Sequence, residues 1–367
     1  MRASIYQITI RITAYGRPNP LIEIDGSAGE GGGQIVRTAL ALAMCTRSPV
    51  TLRKVRANRS KPGLRAQHLA AVRAAAAICA ARVDGATTAS TTLRFEPGAV
   101  RPGRYEIDVG TAGSALLVLQ TILPALAFCK SASEVLIQGG THNPRAPTFE
   151  FIRDAYLPLI ARIGFRAELS LQRHGFYPRG GGLVRALIEP FRGGNTLRLL
   201  GRGALRTRTA GVLLSRLPAH IAEREIAVLR LRLGLSASAC SIDTVDAPGV
   251  GNTVHVRVDC AHVTTVFCGF GMRGVPAETV AGRLADEVVS YLDSDVALDV
   301  HLADQVLLPL ALASGGQFST LAPSGHTRTN AAVISTFLPI AYEEAALGSN
   351  RWRIGLRRDG RAAGQQG

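Results

Sequence analysis

Five short stretches of this chain carry side chains able to do chemistry. The first, LIEIDGSAGEGGGQIVR (21–37), sets one acid, Glu30, among the glycines of a turn. Backbone N–H groups of such a turn, feeding a helix start, face an anion well. The lysine of a phosphate-binding P-loop is missing, and G-x-G-x-x-G is not matched either. Glu30 would repel a bare phosphate there. A divalent cation between carboxylate and phosphate removes that conflict; the plainer reading is a helix-start glutamate favoured by the helix dipole.

The second stretch, RANRSKPGLRAQH (56–68), bends at Pro62-Gly63, with cations before the bend and Gln67-His68 after it. It reads as a phosphate-binding bend or as a solvated positive loop. The third, GGTHNPRAP (139–147), is a loop carrying His142, for which an internally satisfied histidine is the ordinary expectation. In the fourth, HGFYPRGGGLV (174–184), close backbone approach explains three glycines without any ligand. The last pairs HLADQ (301–305) with LAPSGHTRTN (321–330). Asp304 and Gln305 stand at a helix start, and His326 lies in a Pro-Ser-Gly turn before another helix. Neutral imidazole is a competent nucleophile near pH 7 and takes a nucleotidyl group without prior deprotonation.

The elements that must position these residues look repeated. IEIDGSAG (22–29) precedes GGQIVRTALALAM, and YEIDVGTAG (105–113) precedes SALLVLQTILPALAF, so each reads as strand, small-residue turn and apolar helix. Such self-similarity predicts duplicated α+β units, with a third at 295–316. Alternating runs at 93–109 and 167–188 predict strands; helical spacing marks 66–81 and 148–163. Residues 196–290 differ and read as a smaller α/β unit with a helix over 217–234. From Ser349 the chain reads as a frayed, solvated basic tail.

The totals bound the rest. A chain of 367 residues, 47% hydrophobic and 19% charged, is globular and long enough for two domains. No long uncharged apolar run appears, and Arg11 interrupts any signal-peptide core, so a cytoplasmic protein without a membrane partner is expected. Six scattered cysteines without a C-x-x-C pair read as reduced thiols. The net charge of +15 comes almost wholly from arginine, the lysines being only Lys54, Lys61 and Lys130. A GC-rich genome also supplies arginine. Between Glu30 and Asp84, however, there is no acid and there are ten cations, a field that favours a polyanion. Aromatics at 5% argue against a broad base-stacking platform and for recognition of a backbone or terminus.

The segments IEIDGSAGEGGGQIVRTALAL, RANRSKPGLRAQHLAAV, DVGTAGSALLVLQTILPAL, GGTHNPRAP, HGFYPRGGGLV and HLADQVLLPLALASGGQFSTLAPSGHTRTNAAV together resemble the RNA 3′-terminal phosphate cyclases, over roughly residues 20–342. The resemblance implies an α/β fold of three repeated βαβα-type units, like the C-terminal fold of translation initiation factor 3, with a smaller inserted α/β domain. On this chain that places an N-terminal extension at 1–20, a large catalytic domain at 21–195 and 291–345, the insertion at 196–290 and a basic tail at 346–367. It implies a histidine that takes AMP from ATP with a divalent metal, Mg²⁺ or Mn²⁺, and passes it to an RNA 3′-phosphate. The neighbouring 2′-OH then closes a 2′,3′-cyclic phosphate and releases AMP.

By match to the family motifs, His326 is the adenylated nucleophile and Glu30 the metal contact. Asp304, Gln305, Gln120 and Pro147 fall in the nucleotide pocket; Arg37, Arg56, Arg59 and Gln67 fall where triphosphate or RNA phosphate binds. The family's usual pocket tyrosine is His301 here, which alters a base or ribose contact. Lysine-adenylating ligases need a K-x-D-G-like motif, and none of the three lysines sits in one. Two alternatives stand beside this expectation. One is a non-catalytic, cyclase-like scaffold in ribosomal RNA processing, against which the presence of His326 argues. The other is a related enzyme that adenylates different nucleic-acid ends.

Overall fold

The computed structural model describes residues 20–358. The expected N-terminal extension therefore lies, apart from Pro20, outside the described residues. Strand β1 (Ile22–Asp25) alternates as a half-buried strand should, with both isoleucines inward. It is followed by α1 (Gly33–Thr46), β2 (Val50–Arg53), α2 (Ala66–Cys79), β3 (Arg82–Asp84) and β4 (Leu93–Glu96). The sheet order is β1-β2-β4-β3, with β1 and β2 parallel and the other pairs antiparallel. A parallel neighbour requires a crossover, and α1 supplies it.

The next segment repeats the plan. It holds β5 (Arg104–Asp108), α3 (Ala115–Ala127), β6 (Ser133–Gly139), a π-helical turn at Phe151–Tyr156 that runs into α4 (Leu157–Ala161), β7 (Ala167–Arg173) and β8 (Gly182–Ile188). Its order, β5-β6-β8-β7, matches the first unit strand for strand. Helix α3 is nearly all apolar, and every residue of it except Gln120 is buried. It is a core helix with one polar window.

A third copy opens with β9 (Leu197–Leu199), and there the chain departs. It builds β10 (Leu205–Ser215), α5 (Ala219–Leu233), β11 (Cys240–Thr244), β12 (Gly251–Cys260), β13 (Thr264–Phe270) and α6 (Ala277–Asp293) before returning. The copy is completed by α7 (Val300–Leu312), β14 (Gly316–Thr320), α8 (Gly325–Phe337), β15 (Ile340–Gly348) and β16 (Arg351–Arg358). Its sheet, β15-β16-β14-β9, is the same plan read from the other edge, with β9 parallel to β14. The intervening strands make a separate sheet, β11-β10-β12-β13, over a separate apolar core that includes Val212, Leu229, Val254 and Val288. Both ends of this insertion meet at fully buried Ser319. Its Oγ donates to the Leu200 carbonyl and accepts the Ala297 N–H, each at 2.9 Å.

Two expectations need correcting. As far as Arg358, the stretch after Ser349 is no frayed tail: β16 runs to Arg358 between β15 and β14, with Ile354 and Leu356 buried. Its arginines suggested a solvated tail, but RWRIGLRR alternates, and the apolar members face the core. The inserted sheet begins at Leu205 rather than 196, because β9 pairs with β14; α6 continues to Asp293, past the expected limit of 290. Among the described residues no helix is long and apolar enough to cross a membrane.

Candidate active site

The glycine-rich turn joins β1 to α1, and its glycines are explained by what lies against them. Gly29 and Gly31 have φ of +59° and +54°, where L side chains are strained. A Cβ on Gly29 would overlap the Thr329 hydroxyl, and one on Gly33 would overlap the His68 ring. One on Gly325 would lie 2.6 Å from Glu30 Oε1. Three segments thus close around Glu30. Its N–H donates to Thr329 Oγ1 at 3.2 Å, while its Oε2 lies 2.9 Å from His326 Nε2 and 3.6 Å from an Arg59 Nη. Glu30, Arg59 and His326, far apart in sequence, therefore form one cluster. Glu30 precedes the first turn of α1 and reaches across to α8, which is not the arrangement of a helix-start glutamate serving its own helix.

His326 is the second residue of α8, whose cap is Ser324: Ser324 Oγ accepts the Thr327 N–H at 3.1 Å. The histidine is nearly half exposed, so its ring meets solvent at a helix N-terminus, a place suited to phosphate.

Behind this pair lies a buried polar layer. Gln34 Nε2 donates to both Asp304 oxygens, at 2.7 and 2.9 Å. Asn330 Nδ2 donates to the Asp304 carbonyl at 3.1 Å and to its Oδ1 at 3.3 Å, and Thr38 Oγ1 donates to Asn330 Oδ1 at 2.8 Å. Burial pushes the Asp304 carboxyl up, against the Gln34 and Asn330 donors and the nearby His326 and Arg37. Burial likewise brings Arg37 down to about 10, with Asp304 opposing. A cavity of about 40 Å³ opens here, lined by Gln34, Arg37, Gln120, Gln305 and Asn330 among others. Gln120 and Gln305 hold equivalent places, each the sixth residue of its helix, α3 and α7, with a proline at the tenth.

The basic bend is less free than its sequence suggests. Arg56, at φ +55°, turns its guanidinium inward to donate to the Lys61 and Gly63 carbonyls at 2.9 and 2.8 Å. Arg53 pairs with Glu23 at 3.1 Å and Lys54 with Asp25 at 2.9 Å, so acids on β1 offset cations that look unopposed in sequence. Gln67, in the first turn of α2, abuts Gly113: a Cβ there would lie 2.8 Å from Gln67 Cβ. His68 is buried and accepts the Arg65 N–H; burial, with Arg37, Arg56 and Arg65 nearby, takes its pKa down to about 3. It stays neutral and structural.

Pro147 and His301 do not line the cavity. Pro147 is half-buried in its loop, and His301 is exposed at the start of α7, its N–H donated to the Asp299 cap at 2.9 Å. His142 is the internally satisfied histidine expected, with Thr141 Oγ1 at 2.8 Å and Glu150 Oε2 at 3.0 Å. Burial alone would raise Glu150, but the His142 imidazole outweighs it and holds the carboxyl at about 2.

Gln34, Thr38, Thr329 and Asn330 were not singled out from the sequence. Asn330 had a usable signal, lying four residues after His326 and so on the same helix face. Gln34 had none beyond following the glycines.

Comparison with known proteins places the chain in a family. A family model described as RNA 3′-terminal phosphate cyclase matches residues 28–343. A protein named RNA 3′-terminal phosphate cyclase from Koribacter versatilis is 47% identical over 324 residues, covering 88% of this chain and 91% of that one. One of the same name from Ralstonia nicotianae is 47% identical over 326 residues, covering 88% and 93%.

Proposed function

Because the chain belongs to the RNA 3′-terminal phosphate cyclase family, we propose that it converts an RNA 3′-terminal phosphate to a 2′,3′-cyclic phosphate at the expense of ATP. Named relatives at this identity and coverage do not favour the scaffold alternative. The three-repeat body carries the catalytic groups in this reading, and the insertion flanks them.

His326 is the nucleophile. A ring nitrogen attacks the α-phosphorus of ATP, a P–N bond forms, and pyrophosphate leaves. A terminal phosphate oxygen of the RNA then attacks the same phosphorus, breaking the P–N bond and regenerating the imidazole. The adjacent 2′-OH attacks the 3′-phosphorus, loses its proton and expels AMP. Little of this is covalent work by the protein: positioning and charge neutralisation dominate nucleotidyl transfer.

The observation that carries the reading is the 2.9 Å approach of Glu30 to His326 Nε2 at the exposed start of α8. Glu30 orients the ring in this state and releases the nitrogen when it attacks. Arg59, beside Glu30, and Arg37, behind it, are the cations for the polyphosphate. Asp304, held by Gln34 and Asn330, and Gln305 with Gln120 shape the nucleotide pocket.

A divalent cation fits here only in company with substrate. Glu30 offers one half-exposed carboxylate, and among the described residues no three His, Cys, Asp or Glu side chains cluster as metal ligands. That suits Mg²⁺, which takes one or two carboxylates and completes its shell with phosphate oxygens and water. When bound, it would neutralise phosphate charge. Glu30 is the residue that would hold it.

Incubation with ATP labelled at the α-phosphate and Mg²⁺ or Mn²⁺ should leave acid-labile label on the protein. Label retained by His326→Ala would overturn the nucleophile assignment. RNA ending in a 3′-phosphate should be cyclised, and RNA ending in a 3′-OH should not.

A further inference from the structure

The turn Phe176–Gly180 is held from every side and yet presents an exposed tip. Gly180 N–H donates to the Phe176 carbonyl at 2.7 Å, closing the turn. Phe176 is buried against Leu213 and Ala247 of the insertion, and a Cβ on Gly251 would run into its ring. A Cβ on Gly180 would lie 2.6 Å from Ala112 Cα; one on Gly181 would lie 3.0 Å from Pro248 and one on Gly249 2.8 Å from Arg179 Cβ. Close packing this extensive fixes the backbone. It leaves Tyr177 64% exposed, and Arg179, whose Cβ packs near Gly249, is also exposed.

The location supplies a use. Gly180 packs on Ala112, and Gly113 packs on Gln67 in the first turn of α2, so a single loop separates the tip from the candidate active site. Asn143 Nδ2 donates to the Ala112 carbonyl and pins that loop. Ser215 Oγ donates to the Gly249 carbonyl at 2.9 Å, and Arg216, the next residue, is exposed. Val250, on the 245–251 loop, is 52% exposed. An exposed aromatic with an exposed arginine two residues on matches one base and a phosphate of a single strand.

We infer that Tyr177 and Arg179 form an RNA subsite upstream of the reacting end: Tyr177 stacks on a base a few nucleotides before the 3′-phosphate, and Arg179 holds a neighbouring phosphate. This rests on the cyclase reading. Stacking on a single platform tolerates any base, so the subsite grips strand rather than sequence. It also gives the insertion a role, since its 245–251 loop and Phe176 pocket hold the turn in place.

The test separates this subsite from catalysis. Tyr177→Ala should raise KM for a 3′-phosphorylated oligoribonucleotide about five- to a hundredfold, the range for loss of one stacked base. It should leave kcat, RNA-independent self-adenylation and cyclisation of a nucleoside 3′-monophosphate unchanged, and Tyr177→Phe should restore KM. Arg179→Ala should weaken anisotropy-measured binding of the same oligonucleotide and lower its salt slope by about one. An unchanged KM and salt slope would overturn the proposal, as would equal losses on the oligonucleotide and the mononucleotide. Lost self-adenylation in Tyr177→Ala would assign the turn a structural role instead. If the wild type bound the oligonucleotide without cyclising it, the activity would be refuted; Tyr177-dependent binding would still support the subsite.

Discussion

Glu225→Gln should remove a pH dependence built into the insertion. Glu225 lies on α5 with no exposed surface, and its Oε2 accepts Asn252 Nδ2 at 2.8 Å. Glu225 Oε1 and Asn252 Oδ1 are both buried without a partner. As a carboxylate, Glu225 is a buried charge receiving a single side-chain hydrogen bond; as an acid it carries no charge. Burial accordingly pushes its pKa up, from 4.5 to about 7. A folded-state pKa above the unfolded one means stability is fullest below pH 4.5 and is lost as pH rises through about 7. The shift corresponds to at most about 3 kcal/mol, nearer 2 once the polar surroundings are allowed for.

Urea unfolding read by protease protection of the insertion, at several pH values from 4.5 to 8, measures this directly. The wild-type midpoint should fall across that range more steeply than that of Glu225→Gln. The two proteins should converge at the acid end, and the glutamine variant should be the more stable at pH 8. Parallel pH profiles would refute the reasoning, as would a glutamine variant less stable at pH 8. Asn252 adjoins Gly251, against which Phe176 packs, so loosening here would also be felt at the Tyr177 turn.

Asn330→Ala removes the Nδ2 that donates to the Asp304 main-chain carbonyl and, at 3.3 Å, to its Oδ1, and should let the carboxyl rise further, costing about 1.5–3 kcal/mol in a charge-assisted contact. Self-adenylation should fall about tenfold or more near pH 7 and recover as pH rises; an unshifted profile would show that Asp304 ionisation is not required. Ile354→Ala, in the fully buried centre of β16, should destabilise the protein by about 2–5 kcal/mol, seen as a lowered Tm. An unchanged Tm would mean the strand adds nothing.

What the sequence made legible was local. Alternation in IEID and in the 167–188 run announced strands, and the apolar run after Ser114 announced α3, because periodicity reports which face is buried. Strand β9 was illegible, since three residues cannot name a partner 119 positions away. Strand β16 was hidden by its arginines. In the site, motif resemblance supplied Glu30, His326 and Asp304 as residue types, but not their contacts. Nothing in RANRSKPG shows that Arg56 folds inward at positive φ, or that acids on β1 offset its neighbours. Pairing across repeats has no one-dimensional signature.

The departure of the chain after β9 sets an order of events. The first two repeats close with partners made soon after one another, and contacts of short sequence separation form early. Strand β9 emerges with them but has no mate until β14 follows, about 120 residues later. Until then it is an open edge on a nearly finished body, exposed to pairing with another chain. The insertion must fold in that interval and bring its two ends together, because Ser319 fastens both at once. The catalytic cluster thus assembles last. No truncated or stalled chain that ends before α8 contains the histidine.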